Sequence, residues 1–139
     1  MTNHLDPIAA EPITPMARHL GIELTGWQAD WAQVEVTLAP QLLNRQDLPH
    51  GGLHATLLDT AMGYAGCHTG DPALRQHALT LSMTVNYLAQ AGGRRLIAQA
   101  RKTGGGRKTF FAEGSVQDEA GTLIATATGV FRYRGAPGS

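Results

Sequence analysis

Only one stretch of this chain, residues 51–68, has the spacing of a long amphipathic helix, and almost everything after it reads as strand. Leu57, Leu58, Ala61, Met62 and Ala65 recur three and four residues apart, which gives a helix one apolar side. Turn residues Gly70-Asp71-Pro72 then close it. Beyond them Leu79, Leu81, Met83, Val85 and Tyr87 alternate with Thr80, Ser82, Thr84 and Asn86, the period of a half-buried strand. Further strands fit 94–102, 107–118 and 122–133, separated by turns at Gly104-Gly105-Gly106 and Glu119-Ala120-Gly121. Upstream, Thr14 is placed to cap a short helix through about Leu20, with Pro15 at its first position and Gly21 closing it. Residues 22–27 and 31–39 read as two strands joined by a tight turn, and Pro40 to Pro49 as a loop.

One long helix with a run of antiparallel strands is an α+β pattern, here a single helix against a sheet of five to six strands. Such a helix covers one face of the sheet, and the other face meets solvent or another subunit. The regular Thr80, Ser82, Thr84, Asn86 row marks the polar side. The 139 residues form one domain over 14–134, preceded by an irregular lead-in at 1–13 and followed by a frayed tail at 135–139.

Charge narrows the function classes. Lys+Arg and Asp+Glu both number 11, so the net charge is zero, whereas a nucleic-acid binder is usually basic. Cys67 is the only cysteine, which precludes an intramolecular disulfide and suits a reducing compartment. Residues 1–20 carry His4, Asp6, Glu11 and three prolines rather than an apolar leader core, and no stretch approaches the ~20 apolar residues of a membrane span. The expectation is a cytoplasmic protein that engages neither membrane nor nucleic acid.

The chemistry concentrates where the loop meets the long helix, in Asn44-Arg45-Gln46-Asp47-Leu48-Pro49-His50-Gly51-Gly52, with Asp59 two turns further on. Paired glycines leave the backbone open to a ligand, and the first N–H groups of a helix lack internal partners. Such donors suit a carbonyl oxygen that becomes an oxyanion, where losing one costs ~100- to 1000-fold in rate. A carboxylate at Asp59 can activate water or attack a carbonyl itself. Position alone also allows Asp59 to face solvent on the polar side of the helix.

Asn44, His50-Gly51-Gly52 and Asp59 stand at the spacing N-x5-H-G-G-x6-D, which resembles the motif of hot-dog-fold acyl-CoA thioesterases of the phenylacetate-degradation (PaaI-type) family. Met16-Ala17-Arg18-His19-Leu20-Gly21-Ile22, Thr84-Val85-Asn86-Tyr87-Leu88 and Asp118-Glu119-Ala120-Gly121-Thr122-Leu123-Ile124-Ala125 resemble other parts of that family, so the likeness runs from about 14 to 133. It implies a helix wrapped by an antiparallel sheet, dimers with two shared active sites, and pairing of dimers into tetramers. It also implies hydrolysis of an aryl- or medium-chain acyl-CoA, with coenzyme A present only as part of the substrate and no cofactor. By the same resemblance Gly51, helped by Gly52, polarises the carbonyl, Asn44 places the carbonyl or the water, and His50 orders the loop. Asp59, from the other subunit, is the nucleophile or base, and Thr80 matches a hydroxyl that holds the water. A thiol leaving group has a pKa near ~8.5, so one carboxylate with oxyanion donors suffices.

Coenzyme A carries phosphates, and residues 94–108 hold Arg94, Arg95, Arg101, Lys102, Arg107 and Lys108 with no acid. Folded about Gly104–Gly106, Arg101, Lys102, Arg107 and Lys108 gather near one hairpin tip, either as phosphate contacts or as edge-protecting charge. Tyr64 either lines an acyl pocket or packs in the core, and Trp27 and Trp31 read as packing residues. His50 and His54 lack the further ligands of a metal site. Two rival functions remain at this level, a non-catalytic acyl-CoA sensor and a hot-dog enoyl-CoA hydratase or dehydratase.

Overall fold

The computed structural model describes residues 4–5 and 11–138. The lead-in expected over 1–13 therefore falls largely outside the described residues, as does Ser139 of the tail. In chain order the elements are β1 (His4–Leu5), α1 (Pro15–Leu20), β2 (Glu23–Gln28), β3 (Trp31–Thr37), a 3-10 turn (Pro40–Leu42), α2 (Gly51–Gly66), β4 (Ala78–Tyr87), β5 (Arg95–Gly105), β6 (Thr109–Asp118) and β7 (Leu123–Tyr133). The sheet order is β1-β2-β3-β5-β6-β7-β4. Six strands pair antiparallel, and the two-residue β1 adds a parallel rung on β2. This is the hot-dog arrangement, one long helix against a six-stranded antiparallel sheet.

The apolar side of α2 goes where its periodicity sends it. Leu57, Leu58, Ala61, Met62 and Ala65 are all buried in one core with Val34, Val36, Leu96, Ala98, Val116 and Phe131 of the sheet. Burying a side chain of Leu or Phe size contributes roughly 1.5–3 kcal/mol, and that burial holds the helix on the sheet.

Both ends of α2 are pinned by side chains from the sheet. At the C-terminal end, Trp27 Nε1 donates to the Tyr64 carbonyl at 2.8 Å and the Tyr133 hydroxyl donates to the Gly66 carbonyl at 2.7 Å. These carbonyls belong to the last turn, where main-chain donors run out; the Tyr64 carbonyl receives the Cys67 N–H, at 3.0 Å, besides Trp27. Phe110 packs under the same turn, stacked on Phe131 at 4.8 Å with an interplanar angle of 7°. A β-carbon at Gly66 would fall 2.1 Å from the Phe110 ring, so only glycine lets helix and ring approach this closely. At the N-terminal end, the Tyr87 hydroxyl donates to the Gly51 carbonyl at 2.7 Å.

The strand β4 departs from the alternation in its sequence. Its register on β7 slips between Thr80 and Ser82, which leaves Leu81 as an extra residue in a bulge. Met83, Val85 and Tyr87 lie opposite Gly129, Ala127 and Ala125, and Thr80 lies opposite buried Phe131. Thr80 therefore faces the helix together with Met83, Val85 and Tyr87. Leu79, opposite Arg132, joins Ser82, Thr84 and Asn86 on the outer face and is 55% exposed. The expected four-residue polar row is thus corrected at its first member, because one added residue reverses the side on which every earlier residue points.

Candidate active site

The loop before α2 is built by Asn44. Its side-chain oxygen accepts from the N–H groups of Gln46 at 2.8 Å and Leu48 at 3.2 Å, and its backbone N–H donates to the Leu48 carbonyl at 2.7 Å. Asp47 takes the left-handed conformation (φ 61°) that an Asx residue tolerates at such a turn. A bridge between Leu43 and Pro49 closes the loop and delivers His50 to the helix cap.

His50 caps α2 through its ring. Nδ1 accepts from the Gly52 N–H at 2.8 Å, which places the ring proton on Nε2. A β-carbon at Gly52 would come within 2.9 Å of that Nδ1, so the cap itself demands glycine. Gly52's N–H is consumed here, whereas the half-buried Gly51 N–H has no partner among the described residues. The helix dipole favours negative charge at this point.

Asp59 lies on the side of α2 that faces β4. Thr80 donates its hydroxyl to Asp59 Oδ1 at 2.6 Å, a contact that exists because the bulge turned Thr80 inward. The pair opens into a cavity of about 470 Å³ bounded by α2, the segment from Glu11 through α1, and the start of β4. Apolar groups dominate its depth, among them Trp27, Tyr64, Cys67, Met83 and Phe131. Burial, reinforced by the Glu11 charge, pushes the Tyr64 phenol and the Cys67 thiol each up to about 12, so both stay neutral. Tyr64 thus both packs against Trp27, with ring centroids 5.0 Å apart, and lines this cavity.

Arg101, Lys102, Arg107 and Lys108 share the β5–β6 hairpin, divided between its tip and its two faces. Arg101 and Lys102 are consecutive strand residues and point to opposite faces. Arg101 is held by Glu113, with Nη2 to Oε1 at 2.6 Å, while Lys102 Nζ lies 6.0 Å from the Tyr133 ring centroid. Arg94 and Arg95 sit at the far end of β5, and Arg95 Nε is paired with Glu35 Oε1 at 2.8 Å. Arg107 and Lys108 remain at the exposed β5–β6 tip without an ion pair among the described residues. The described residues contain no group of three or more His, Cys, Asp or Glu placed to hold a metal.

Two residues of the site escape a sequence reading. Tyr87 looks like an ordinary strand aromatic, yet its hydroxyl braces the Gly51 peptide. His54 is 6% exposed, its ring 5.9 Å from that of Tyr87, and its Nδ1 is buried without a partner among the described residues. Burial lowers its pKa below the ordinary value. The unfolded chain therefore takes up a proton near pH ~6.5 that the folded chain refuses, and stability falls as pH drops below that value, by at most ~1.4 kcal/mol per unit. His54→Gln is expected to flatten the pH dependence of the melting temperature between pH 7 and 5; an unchanged slope would place the effect elsewhere.

Comparison with known proteins converges on one family. The sequence model of the thioesterase superfamily matches residues 48–125, more than half of the chain. A protein of Escherichia coli K12 named medium/long-chain acyl-CoA thioesterase YigI is 28% identical over 130 residues, covering 84% of each chain. The structure of the Escherichia coli PaaI protein from the phenylacetic acid degradation operon superposes with a TM-score of 0.78 at 25% identity, covering 88% of this chain and 86% of that one. A mutant form of the phenylacetic acid degradation protein PaaI of Thermus thermophilus gives a TM-score of 0.75 at 26% identity, covering 86% and 98%.

Proposed function

The chain belongs to the thioesterase superfamily as a PaaI-type hot-dog thioester hydrolase, and from that premise we propose that it cleaves aryl- or medium-chain acyl-coenzyme A to free acid and coenzyme A. The observation that carries this reading is the Asp59–Thr80 pair at the mouth of an apolar cavity. Asp59 acts as base or nucleophile, Thr80 orients it or the attacking water, and the Gly51 N–H receives the oxyanion. Asn44 and His50 act through the loop and cap that present that N–H, and Gly52 supplies the space the cap needs.

The family resemblance implies a site shared between two subunits, and the helix spacing supports it. Eight residues separate Gly51 from Asp59, so on one helix they stand ~12 Å apart along the axis, too far to act on one carbonyl. That spacing supports the arrangement the resemblance implies, with Asp59 of one subunit working beside Gly51 of its partner. The strand β4 suits the pairing, since it is an edge with ten residues of unpaired ladder and with Leu79, Leu81 and Tyr87 exposed. The outer face, where Phe111 and Leu123 are exposed, is the surface for pairing dimers into tetramers. Arg107 and Lys108 are the cations free to meet the phosphates of coenzyme A, with Arg101 and Lys102 lower on the same hairpin. The reading needs no cofactor, and the lone Cys67 fits a cytoplasmic setting.

Release of free thiol from a panel running from phenylacetyl- to dodecanoyl-coenzyme A tests the proposal. Saturable turnover of at least one ester is expected. Tight binding of every ester without turnover would install the sensor reading instead, and hydration of an enoyl ester would install the hydratase.

A further inference from the structure

The middle of α2 contains a glycine that neither the fold nor the backbone explains. Gly63 lies four residues after Asp59, one turn along the same side, and lines the same cavity. Glycine inside a helix is less favourable than alanine. The other tight glycines of the fold have a reason, since an added β-carbon would strike a neighbour, as at Gly66. At Gly63 an added β-carbon meets nothing within 4 Å, and the residue does not take a left-handed conformation. A side chain at this position would project into the cavity.

Resting on the thioesterase reading above, we propose that Gly63 is the specificity-determining residue of this enzyme: its missing side chain leaves open the channel by which an unbranched acyl chain runs past Asp59 toward Trp27, Tyr64 and Cys67. From Asp59 to Cys67 the wall formed by α2 is eight residues long, or ~12 Å, which accommodates roughly nine carbons of an extended chain. The wall on that path is mainly apolar, with Thr60 the polar exception on α2, and Tyr64 and Cys67 are held neutral by burial. The far end therefore accepts a hydrocarbon terminus. Glu11 lines the same cavity near Tyr64 and Cys67, and Arg75 faces it with 3.6 Å between Oε2 and Nε, so its charge is paired rather than left to the channel.

Gly63→Leu is compared with the parent on butyryl-, octanoyl- and dodecanoyl-coenzyme A, together with melting temperature and binding of dodecanoate. Each methylene kept from burial costs about fourfold, so kcat/KM on the dodecanoyl ester is expected to fall on the order of 100-fold. Hydrolysis of the butyryl ester stays within about threefold of the parent, dodecanoate binding weakens in parallel, and the melting temperature holds or rises, because leucine replaces glycine inside a helix. An equal loss on all three esters, or no change on any, would overturn the role of Gly63. A parent that turns over no ester would sink the thioesterase reading alone, because dodecanoate binding still reports whether residue 63 gates the cavity.

Discussion

Replacing Asp59 by asparagine is expected to lower kcat by ~100- to 10,000-fold, the usual worth of a positioned base, while acyl-CoA binding stays within a few-fold. Asn keeps the size of the side chain and can still accept the Thr80 hydroxyl bond, so what disappears is basicity and nucleophilicity. The complementary variant is Gly51→Pro. Proline is favoured at the first helical position and lacks the N–H, and His50 already has the extended conformation that precedes proline (φ −62°, ψ 136°). It therefore removes the proposed oxyanion donor with the helix intact and is expected to cost ~100- to 1000-fold. On the proposed sharing of Asp59 and Gly51 between subunits, mixing the two inactive proteins under subunit exchange is expected to restore one intact site per hybrid dimer, about a quarter of parental activity. Stopped turnover in both variants with no recovery on mixing would show that the site is not shared between subunits. Full activity in Asp59→Asn would remove it from the chemistry altogether.

The second large effect is on stability. Phe110→Ala is expected to cost ~3–5 kcal/mol, close to the full margin of many domains. The ring is fully buried, stacks on Phe131, meets the Tyr133 ring at 5.0 Å between centroids and supports the last turn of α2 at Gly66, so its loss leaves a cavity between helix and sheet. Its neighbour Phe111 points to the other face and is 46% exposed; Phe111→Ala should stay within about 0.5 kcal/mol at protein concentrations low enough to separate the paired dimers, since it removes no core contact of the chain. Denaturant midpoints measured at one protein concentration read both, since association would otherwise shift the midpoint. Similar losses for the two variants would contradict the packing described for β6.

The helix and the strands were legible because each rests on a repeating pattern that burial enforces. Leu57, Leu58, Ala61, Met62 and Ala65 have one consistent destination, and the structure sends them there. The Asn44 to Asp59 motif was legible as a set of residues, but its internal division of labour was not. Which N–H remains free depends on where the His50 ring turns, and a ring angle leaves no trace in residue spacing. Alternation alone put Thr80 on the outer face, against the place the resemblance gave it, because alternation counts residues while a bulge adds one without any change in composition. The basic hairpin was legible as a place but not in its orientation: Arg101 and Lys102 are neighbours in sequence, and a strand sends neighbours to opposite faces. Tyr87 and Gly63 stayed silent, since one resembles any strand aromatic and the other any helix defect.

The Leu81 bulge has a consequence for how this chain can be improved. A sequence optimised for regular pairing would delete the extra residue, straighten the edge strand and return Leu79 to the apolar side. The same deletion would swing the Thr80 hydroxyl away from Asp59. On the proposed mechanism, local frustration in the sheet is bound to the chemistry, and selection for thermal robustness alone would drive this edge toward a better strand and a worse catalyst.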